Sequence, residues 1–298
     1  MTARAATPAL VGATVAVSFS AIFIRIADDD AATIVWLRMA LATVLLIPWA
    51  FRASPRARLF KRRRDALITM AAGAFLAAHF LLWTASLHFT SIAASVLLVS
   101  LHPLLVAPLG SRLLGERVSI RTGAGIAIAL AGTAVTCAGD IRLGATALFG
   151  DLLAIGGAVA LAAYLLIGRG LRTATSVSGY SMTVYAMVAA IAAATAGVEG
   201  NAHLPGARVM LLCLALAVVC TLGGHTVYNW SLRHVPAVTV SIAFLGEPPL
   251  TAVLGLLLLA AVPSLPTLAG GVVILAGLAL VLSEPAQRTP AALPLAME

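Results

Sequence analysis

Length, composition and charge place this 298-residue chain in a membrane: 61% of its residues are hydrophobic, only 10% are charged, and its mean hydropathy is +1.04. A water-soluble fold is excluded, because too few polar residues remain to cover a surface of that size. The net charge of +8 and the basic run at 52–64 do not indicate nucleic acid. That run adjoins two apolar segments and fits topology anchoring and attraction to anionic lipid. Three cysteines, an odd number, imply neither a disulfide framework nor a metal site.

Ten apolar segments, numbered here in chain order, are long enough to cross a bilayer as helices, which takes about 20 residues each. Barrel strands are excluded, because these runs do not alternate polar and apolar residues. The first segment is followed at once by a second, which favours a retained helix over a cleaved signal. The predicted fold class is therefore an all-α integral membrane protein with ten transmembrane helices, at roughly 8–27, 31–50, 66–87, 91–114, 119–138, 147–168, 178–198, 207–231, 235–260 and 265–283.

The second half of the chain repeats the first half. A shift of 145 residues aligns 15 of the 32 positions in 103–134 without a gap, including Pro103 with Pro248. Each repeat holds five segments, and an odd number makes the second repeat enter the membrane from the opposite side, so the repeats are inverted. The predicted organisation is a first repeat at 1–140, a second at 145–285 and a cytoplasmic tail at 286–298.

Cationic residues set the orientation. With the N-terminus in the cytoplasm, fifteen Lys and Arg residues fall in cytoplasmic loops, against only Arg25, Arg142 and Arg208 on the other side. This positive-inside bias supports an even number of segments, with both termini in the cytoplasm. Arg-rich and Lys-poor usage points to a bacterial source. The predicted location is the bacterial cytoplasmic (inner) membrane.

Two charged residues lie deep inside segments: Arg38 in segment 2 and Glu247 in segment 9. Each costs about 2.5–3.5 kcal/mol at a helix centre on insertion scales, so each is a candidate for function. The structural alternative is that they pair with each other or with backbone carbonyls and lock the bundle.

Prolines occupy equivalent positions in segments 4 and 9. Proline removes an N–H group and clashes with the carbonyl four residues earlier, so Pro103 and Pro248 predict breaks at matching depths. Broken helices in both halves indicate a substrate site near the membrane midplane, and packing kinks are the alternative. His102 and Glu247 precede the two prolines at equivalent positions, a pair that suits proton coupling.

Segments 3 and 8 carry polar and aromatic residues. His79, Trp83 and Ser86 have the spacing i, i+4 and i+7 of one helical face. Tyr228 aligns with Trp83, and Asn229 follows it. Such a face fits a cavity for a small amphiphilic ligand, although His79 is equally suited to a hydrogen bond within the bundle. Segments 5 and 10 carry small residues instead, which predict either close packing against the bundle or a dimer seam, so monomer and homodimer both stay open.

The chain resembles the EamA-type exporters of the drug/metabolite transporter superfamily over nearly its whole length. The resemblance rests on WLRMALA around Arg38, on LLGERVS with Glu116 after Pro103, on GIAIALAG, and on GEPPLTAVLG around Glu247. One departure is AAVPSLP, where a second copy of LLGERVS is expected. The resemblance implies segments 1–4 and 6–9 around a central cavity, segments 5 and 10 outside, and export of amino acids or related metabolites.

The predicted function is secondary export of small metabolites by alternating access, with amino acids or related compounds as the leading class. Efflux of drugs, nucleosides or vitamins is the alternative. Arg38 is expected to meet a substrate carboxylate, and Glu247 an amine or a coupling proton. No cofactor, metal or enzymatic activity is expected, and no phosphate-binding glycine motif indicates ATP. The remote rival is a lipid-modifying enzyme with Mg²⁺ on Asp28, Asp29 and Asp30.

Overall fold

The structure, a computed structural model, describes residues 3–53, 63–115, 119–137, 144–171, 176–262 and 265–282. Within these ranges every regular element is a helix. Glu116, Arg142 and the tail at 286–298 lie outside the described residues, as does most of the basic run. In chain order the α-helices are α1 Ala3–Ser18, α2 Ser20–Ala27, α3 Ala31–Ala53, α4 Arg63–Phe89, α5 Ile92–Val99, α6 Pro103–Leu114, α7 Ile120–Cys137, α8 Gly144–Leu171, α9 Val177–Val198, α10 Ala207–Ala215, α11 Thr226–Ser231, α12 Ala237–Ala243, α13 Glu247–Leu259 and α14 Leu265–Leu282.

Eight of the predicted segments are long and apolar enough to cross a membrane over the part of the chain that is described. Segments 5 and 10 correspond to α7 and α14, whose apolar stretches are shorter, at Ile120–Val135 and Leu268–Gly277. The all-α membrane fold is confirmed, and the count of ten stays a prediction. The eight segments are Ala6–Ala27, Ala31–Ala50, Arg63–Phe89, Ile92–Leu114, Ala145–Leu171, Val177–Val198, Ala207–Ser231 and Ala237–Leu259.

The helix packing has the pattern that a two-fold relation between the repeats produces. Segment 3 packs on segment 6, and its repeat mate, segment 8, packs on segment 1. Segments 2 and 7 pack on each other, as do segments 4 and 9 and segments 5 and 10. If each segment is replaced by its equivalent in the other repeat, every helix pair in this set becomes either itself or another pair of the set. The two-repeat fold therefore fits, whereas the residue boundaries of the repeats stay predictions.

The small residues of α7 and α14 let these two helices pack backbone to backbone. A Cβ atom added at Gly132 would lie 2.7 Å from the carbonyl oxygen of Gly270, and one at Gly277 would lie 2.6 Å from that of Gly125. Both distances are shorter than van der Waals contact. The sequence predicted that these glycines pack either against the bundle or against a second copy. Gly132 and Gly277 pack against the other helix of the same chain.

Segments 4 and 9 are broken at equivalent depths. In segment 4, α5 ends at Val99 and α6 begins at Pro103. In segment 9, α12 ends at Ala243, and one 3₁₀ turn leads to α13, which begins at Glu247. Proline cannot donate to the preceding turn, and in both segments the first helix ends before the proline and a new helix carries it in its first turn.

Segment 8 contains a π-helix that its sequence did not predict, at Leu216–His225. The hydroxyl of Thr221 donates to the carbonyl of Leu216 at 3.0 Å, and that of Thr226 to the carbonyl of Thr221 at 3.1 Å. Both bonds span five residues, the register of a π-helix, which often marks a functional position. The α-helical spacing of segment 8 is therefore interrupted between Leu216 and His225 and holds in α10 and α11 on either side.

Candidate functional site

A central cavity lies between segments 1, 3, 4, 6, 8 and 9. Four predicted site residues line it: His79, Trp83, His102 and Glu247. The breaks in segments 4 and 9 place His102 and Glu247 there, because each stands directly before the new helix. The other side chains in the wall were not predicted to bind substrate, and they are Val17, Ser20, Val99, Ser100, Leu161, His225 and Phe244.

The central cavity is small in this conformation. The space open to the centre of a water molecule is about 20 Å³, room for one or two waters, since one needs about 10–15 Å³. A cavity that admits only one or two waters has no room for a metabolite, which occupies the volume of several waters. The walls must therefore separate before a substrate enters, so this conformation is a closed one.

Glu247 is the acidic group of the cavity wall. It is the first residue of α13 and only 6% exposed. Among the described residues its carboxyl group has no hydrogen-bond or ion-pair partner, although buried polar groups are normally satisfied. A group from outside the protein, such as a ligand, a water molecule or a proton, is the partner that the cavity can supply.

His102 stands at the equivalent position but is anchored. Its Nδ1 donates to the carbonyl of Val99 at 3.0 Å, the carbonyl that Pro103 frees. Among the described residues its Nε2 makes no hydrogen bond, and its ring meets that of Phe244 edge-on, with the ring centroids 5.2 Å apart. The two repeats thus present different chemistry at one depth: a fixed imidazole and an unpartnered carboxyl group.

His79 serves both the bundle and the cavity. Its Nδ1 donates to the carbonyl of Gly157 in segment 6 at 3.0 Å. Its ring lies parallel to that of Trp83, with centroids 6.1 Å apart. The predicted hydrogen bond within the bundle and the predicted place in the cavity wall therefore hold together.

His225 and Phe80 occupy equivalent positions, 145 residues apart, and touch each other. Their ring centroids are 4.9 Å apart in an edge-to-face arrangement. Residues related by a two-fold axis can meet only near that axis, so the cavity lies on it. In the sequence, His225 is one of several polar residues in segment 8. Its contact with Phe80, the residue at the equivalent position of the first repeat, is what distinguishes it.

Arg38 is buried beside the cavity and is absent from its wall. Its Nε donates to the hydroxyl of Thr221 at 2.7 Å, and its guanidinium lies 4.5 Å from the ring centre of Phe80. Its two Nη atoms have no hydrogen-bond partner in the part of the chain that the structure describes. No ion pair joins Arg38 to Glu247 among the described residues, so the structural alternative of direct pairing between them is not observed.

Ser86 and Tyr228 pack around the cavity without lining it. The Ser86 hydroxyl donates to the carbonyl of Trp83 at 2.6 Å. The Tyr228 hydroxyl hydrogen-bonds that of Thr14 at 2.9 Å, and its ring lies 4.0 Å from Phe244. These contacts position two of the aromatic walls.

Asn229 and the two prolines have structural positions. The Asn229 side chain accepts a hydrogen bond from the Tyr164 hydroxyl at 2.6 Å and donates one to Ser181 at 3.2 Å. It thereby ties segment 8 to segments 6 and 7. Pro103 and Pro248 lie in the first turns of α6 and α13, outside the wall itself.

A second, larger cavity of about 560 Å³ opens at the end of the bundle that carries the 28–30 loop, here called the aspartate end. Asp28, Asp29, Asp30 and Glu199 are among its lining residues, together with His88 of segment 3. Its acidic walls contrast with the single carboxyl group of the central cavity.

The structure brings His203 to the aspartates of this end. Its Nε2 lies 3.2 Å from Asp29, and the amide of Asn201 donates to Asp30 at 3.1 Å. The hydrogen bond to the Asn201 carbonyl, and then the one to Asp29, raise the pKa of His203 above its ordinary value. Ligand atoms of Asp29, Asp30 and His203 lie within 4.8 Å of one another. Hydrogen bonds between loops account for this group, and the rival Mg²⁺ enzyme gains no further support from it.

The sequence and the fold of this chain are both similar to known proteins. The family model described as the EamA-like transporter family matches residues 6–138 and again 148–283. A crystal structure of another protein covers 93% of this chain and 96% of its own, with a TM-score of 0.76 at 19% identity. That likeness shows a shared fold. No match was found among curated proteins.

Proposed function

Because the chain belongs to the EamA-like transporter family, within the drug/metabolite transporter superfamily, we propose that it exports small metabolites across the bacterial cytoplasmic membrane by alternating access. Amino acids and related compounds are the first class to test. The observation that carries the proposal is Glu247: a buried, unpartnered carboxyl group in a cavity on the repeat axis, at the break of segment 9.

Alternating access suits this arrangement. The cavity is closed around Glu247, and the breaks in segments 4 and 9 both lie at its wall. Because the packing maps onto itself when the repeats are exchanged, rocking one repeat against the other opens one side while closing the other. Glu247 holds a substrate amine in one step and a proton in another, which couples export to the proton gradient.

Efflux of drugs or other apolar solutes is the second candidate. The rings of Trp83 and Phe244 in the cavity wall favour it, because aromatic and apolar walls bind most amphiphilic compounds. Nucleosides and vitamins belong to the same test.

Flux of labelled amino acids through purified protein in liposomes, with and without a pH gradient, tests the proposal. We expect flux of one or a few amino acids, competed away by close analogues and increased by the gradient. If no amino acid moves while a drug, nucleoside or vitamin does, the leading substrate class is wrong. If nothing in the whole panel moves, export itself is contradicted.

Glu247→Gln tests the coupling residue. We expect it to lose gradient-driven flux at least tenfold, because the amide can neither carry the proton nor hold a charged amine. Asp65→Asn is the matched control: it makes the same carboxyl-to-amide change at the start of α4, about 20 Å along that helix from His79. Equal pH-driven flux in Glu247→Gln and the native protein would remove the role of Glu247.

A further inference from the structure

We propose that the central cavity selects an ammonium group on an apolar or aromatic body and does not recognise a carboxylate. Amines without a carboxyl group then bind better than the amino acids with the same side chain. This inference rests on the proposed function and names the substrate class of the same site.

The charges of the cavity wall favour a cation. Glu247 is the one Asp, Glu, Lys or Arg side chain of the described wall. It is only 6% exposed, and among the described residues no group forms a hydrogen bond or an ion pair with its carboxyl group. A cationic ligand compensates that charge, whereas an anion would add a second uncompensated one.

A zwitterion finds no matching cation at the wall. The guanidinium of Arg38 is absent from the described wall. Its Nε bonds Thr221, the group stacks on Phe80, and its two Nη atoms have no hydrogen-bond partner among the described residues. His79 and His102 already commit their Nδ1–H groups to the carbonyls of Gly157 and Val99. A carboxylate would be buried without a strong donor unless the Arg38 side chain moved into the wall. The site therefore recognises the amine end of an amino acid and penalises the other end.

Aromatic rings complete the cation site. Trp83 is 3% exposed and Phe244 is 4% exposed, and both line the cavity with Glu247. Ring faces attract ammonium groups, and the attraction grows when water is excluded. Neighbouring contacts fix both rings: His79 lies parallel to Trp83, and Tyr228 lies 4.0 Å from Phe244.

The aspartate end continues this preference along segment 3. Trp83 lines the central cavity, and Ala85 and His88 line the outer one. These residues are separated by only about 3–8 Å of helix rise. Acidic walls raise the local concentration of cations. An ammonium ion that leaves the central cavity at this end enters a space that also favours it.

Displacement of labelled phenethylamine from protein in nanodiscs tests the inference. Phenethylamine, phenylalanine and 3-phenylpropionate share one ring and differ in their charged groups. We expect the amine to displace the label at a concentration at least tenfold lower than the amino acid, and the acid not to displace it. Displacement by phenylalanine at an equal or lower concentration would overturn the inference.

Variants assign the effect to the wall. Glu247→Gln should weaken amine binding at least tenfold, Glu247→Asp should retain part of it because the charge remains, and Asp65→Asn should bind like the native protein. Gel filtration shows whether each variant is folded. Native-like binding by folded Glu247→Gln would overturn the inference, as would loss of binding in Asp65→Asn equal to that in Glu247→Gln.

Flux separates this inference from the proposed function. The trimethylated, permanently charged phenethylammonium is the probe, because the free amine crosses lipid unaided. Its saturable flux supports both proposals. Flux of an amino acid or an anion without flux or binding of the ammonium would overturn the inference and leave export standing. No flux of any solute would overturn both.

Discussion

Arg38 shows how a charge buried in a membrane protein is held without an ion pair. Its guanidinium lies on the ring of Phe80, and Nε donates to Thr221, whose own hydroxyl donates to the carbonyl of Leu216. Thr221 thus accepts from the arginine and donates to the backbone, which uses both capacities of one hydroxyl. The arrangement depends on the π-helix that turns Thr221 towards segment 2.

Thr221→Val tests this contact. Removing the acceptor leaves a third donor of Arg38 unsatisfied, and we expect a loss of about 1–3 kcal/mol in the free energy of unfolding. Thr221→Ser keeps the hydroxyl and should recover most of it. Thermal or denaturant unfolding in the same detergent measures the difference, and equal stability of Thr221→Val and Thr221→Ser would contradict the assignment.

His102→Leu tests the anchor at the break of segment 4. The change leaves the Val99 carbonyl without its donor, and we expect a loss of about 1–3 kcal/mol in stability, since an unsatisfied buried acceptor is costly. His102→Asn offers an amide donor from the same position and should restore part of it. Unfolding midpoints that do not separate these two variants would show that the bond contributes nothing.

At the scale of the helices, the sequence predicted the breaks that recur in both repeats. It did not predict the π-helix or the remaining cavity-lining residues, which depend on contacts with neighbouring helices. Pro103 and Pro248 fix both breaks through covalent chemistry, so these could be predicted from the chain alone. The π-helix could not, because its register is stabilised by Thr221 meeting Arg38 from another helix. Phe244 and Val17 line the cavity as ordinary apolar residues, and nothing in their local sequence distinguishes them from the core. Arg38 was predicted beside the substrate because charge in a membrane indicates function, and only its contacts show that its guanidinium lies on the ring of Phe80, outside the described cavity wall.

The seam between α7 and α14 makes a prediction at the same scale. Gly132→Ala places a methyl group 2.7 Å from the carbonyl oxygen of Gly270, so the helices must separate and the free energy of unfolding should fall by about 1–3 kcal/mol. Gly123→Ala, on the same helix with open space at its Cβ position, should be neutral or stabilise by up to about 1 kcal/mol. Unfolding in one detergent compares the two, and a Gly132→Ala protein as stable as Gly123→Ala would contradict the close packing.

Across the whole molecule, hydrogen bonds at the aspartate end join the two repeats. His203 contacts Asp29, Asn201 contacts Asp30, and Arg208 donates to the carbonyl of Ile26 at 3.0 Å. Loop 199–206 of the second repeat is thereby held to loop 28–30 of the first. Opening this end requires these contacts to part.

The pH dependence of this closure follows from His203. Its pKa is raised, chiefly by the Asn201 carbonyl and then by Asp29, so the contact contributes fully below the ordinary pKa near 6.5. That contribution is lost as the pH rises through the higher folded value. We expect hydrogen exchange in 199–206, corrected for intrinsic rates, to increase over that range in the native protein. The increase should be absent in His203→Gln, and the same increase in both proteins would contradict the assignment.

The difference between His102 and Glu247, which occupy equivalent positions, affects the relative free energies of the two states of the proposed transport cycle. In a protein of two identical inverted halves, the states open to either side would be mirror arrangements of equal intrinsic free energy, and only the membrane and its gradients would distinguish them. Here one half carries an anchored imidazole and the other a free carboxyl group at the same depth. Exchanging the conformations of the halves therefore does not return an equivalent molecule. A protein built in this way has a resting bias towards one side of the membrane, and under the proposed coupling a cation or a proton at Glu247 would shift that bias.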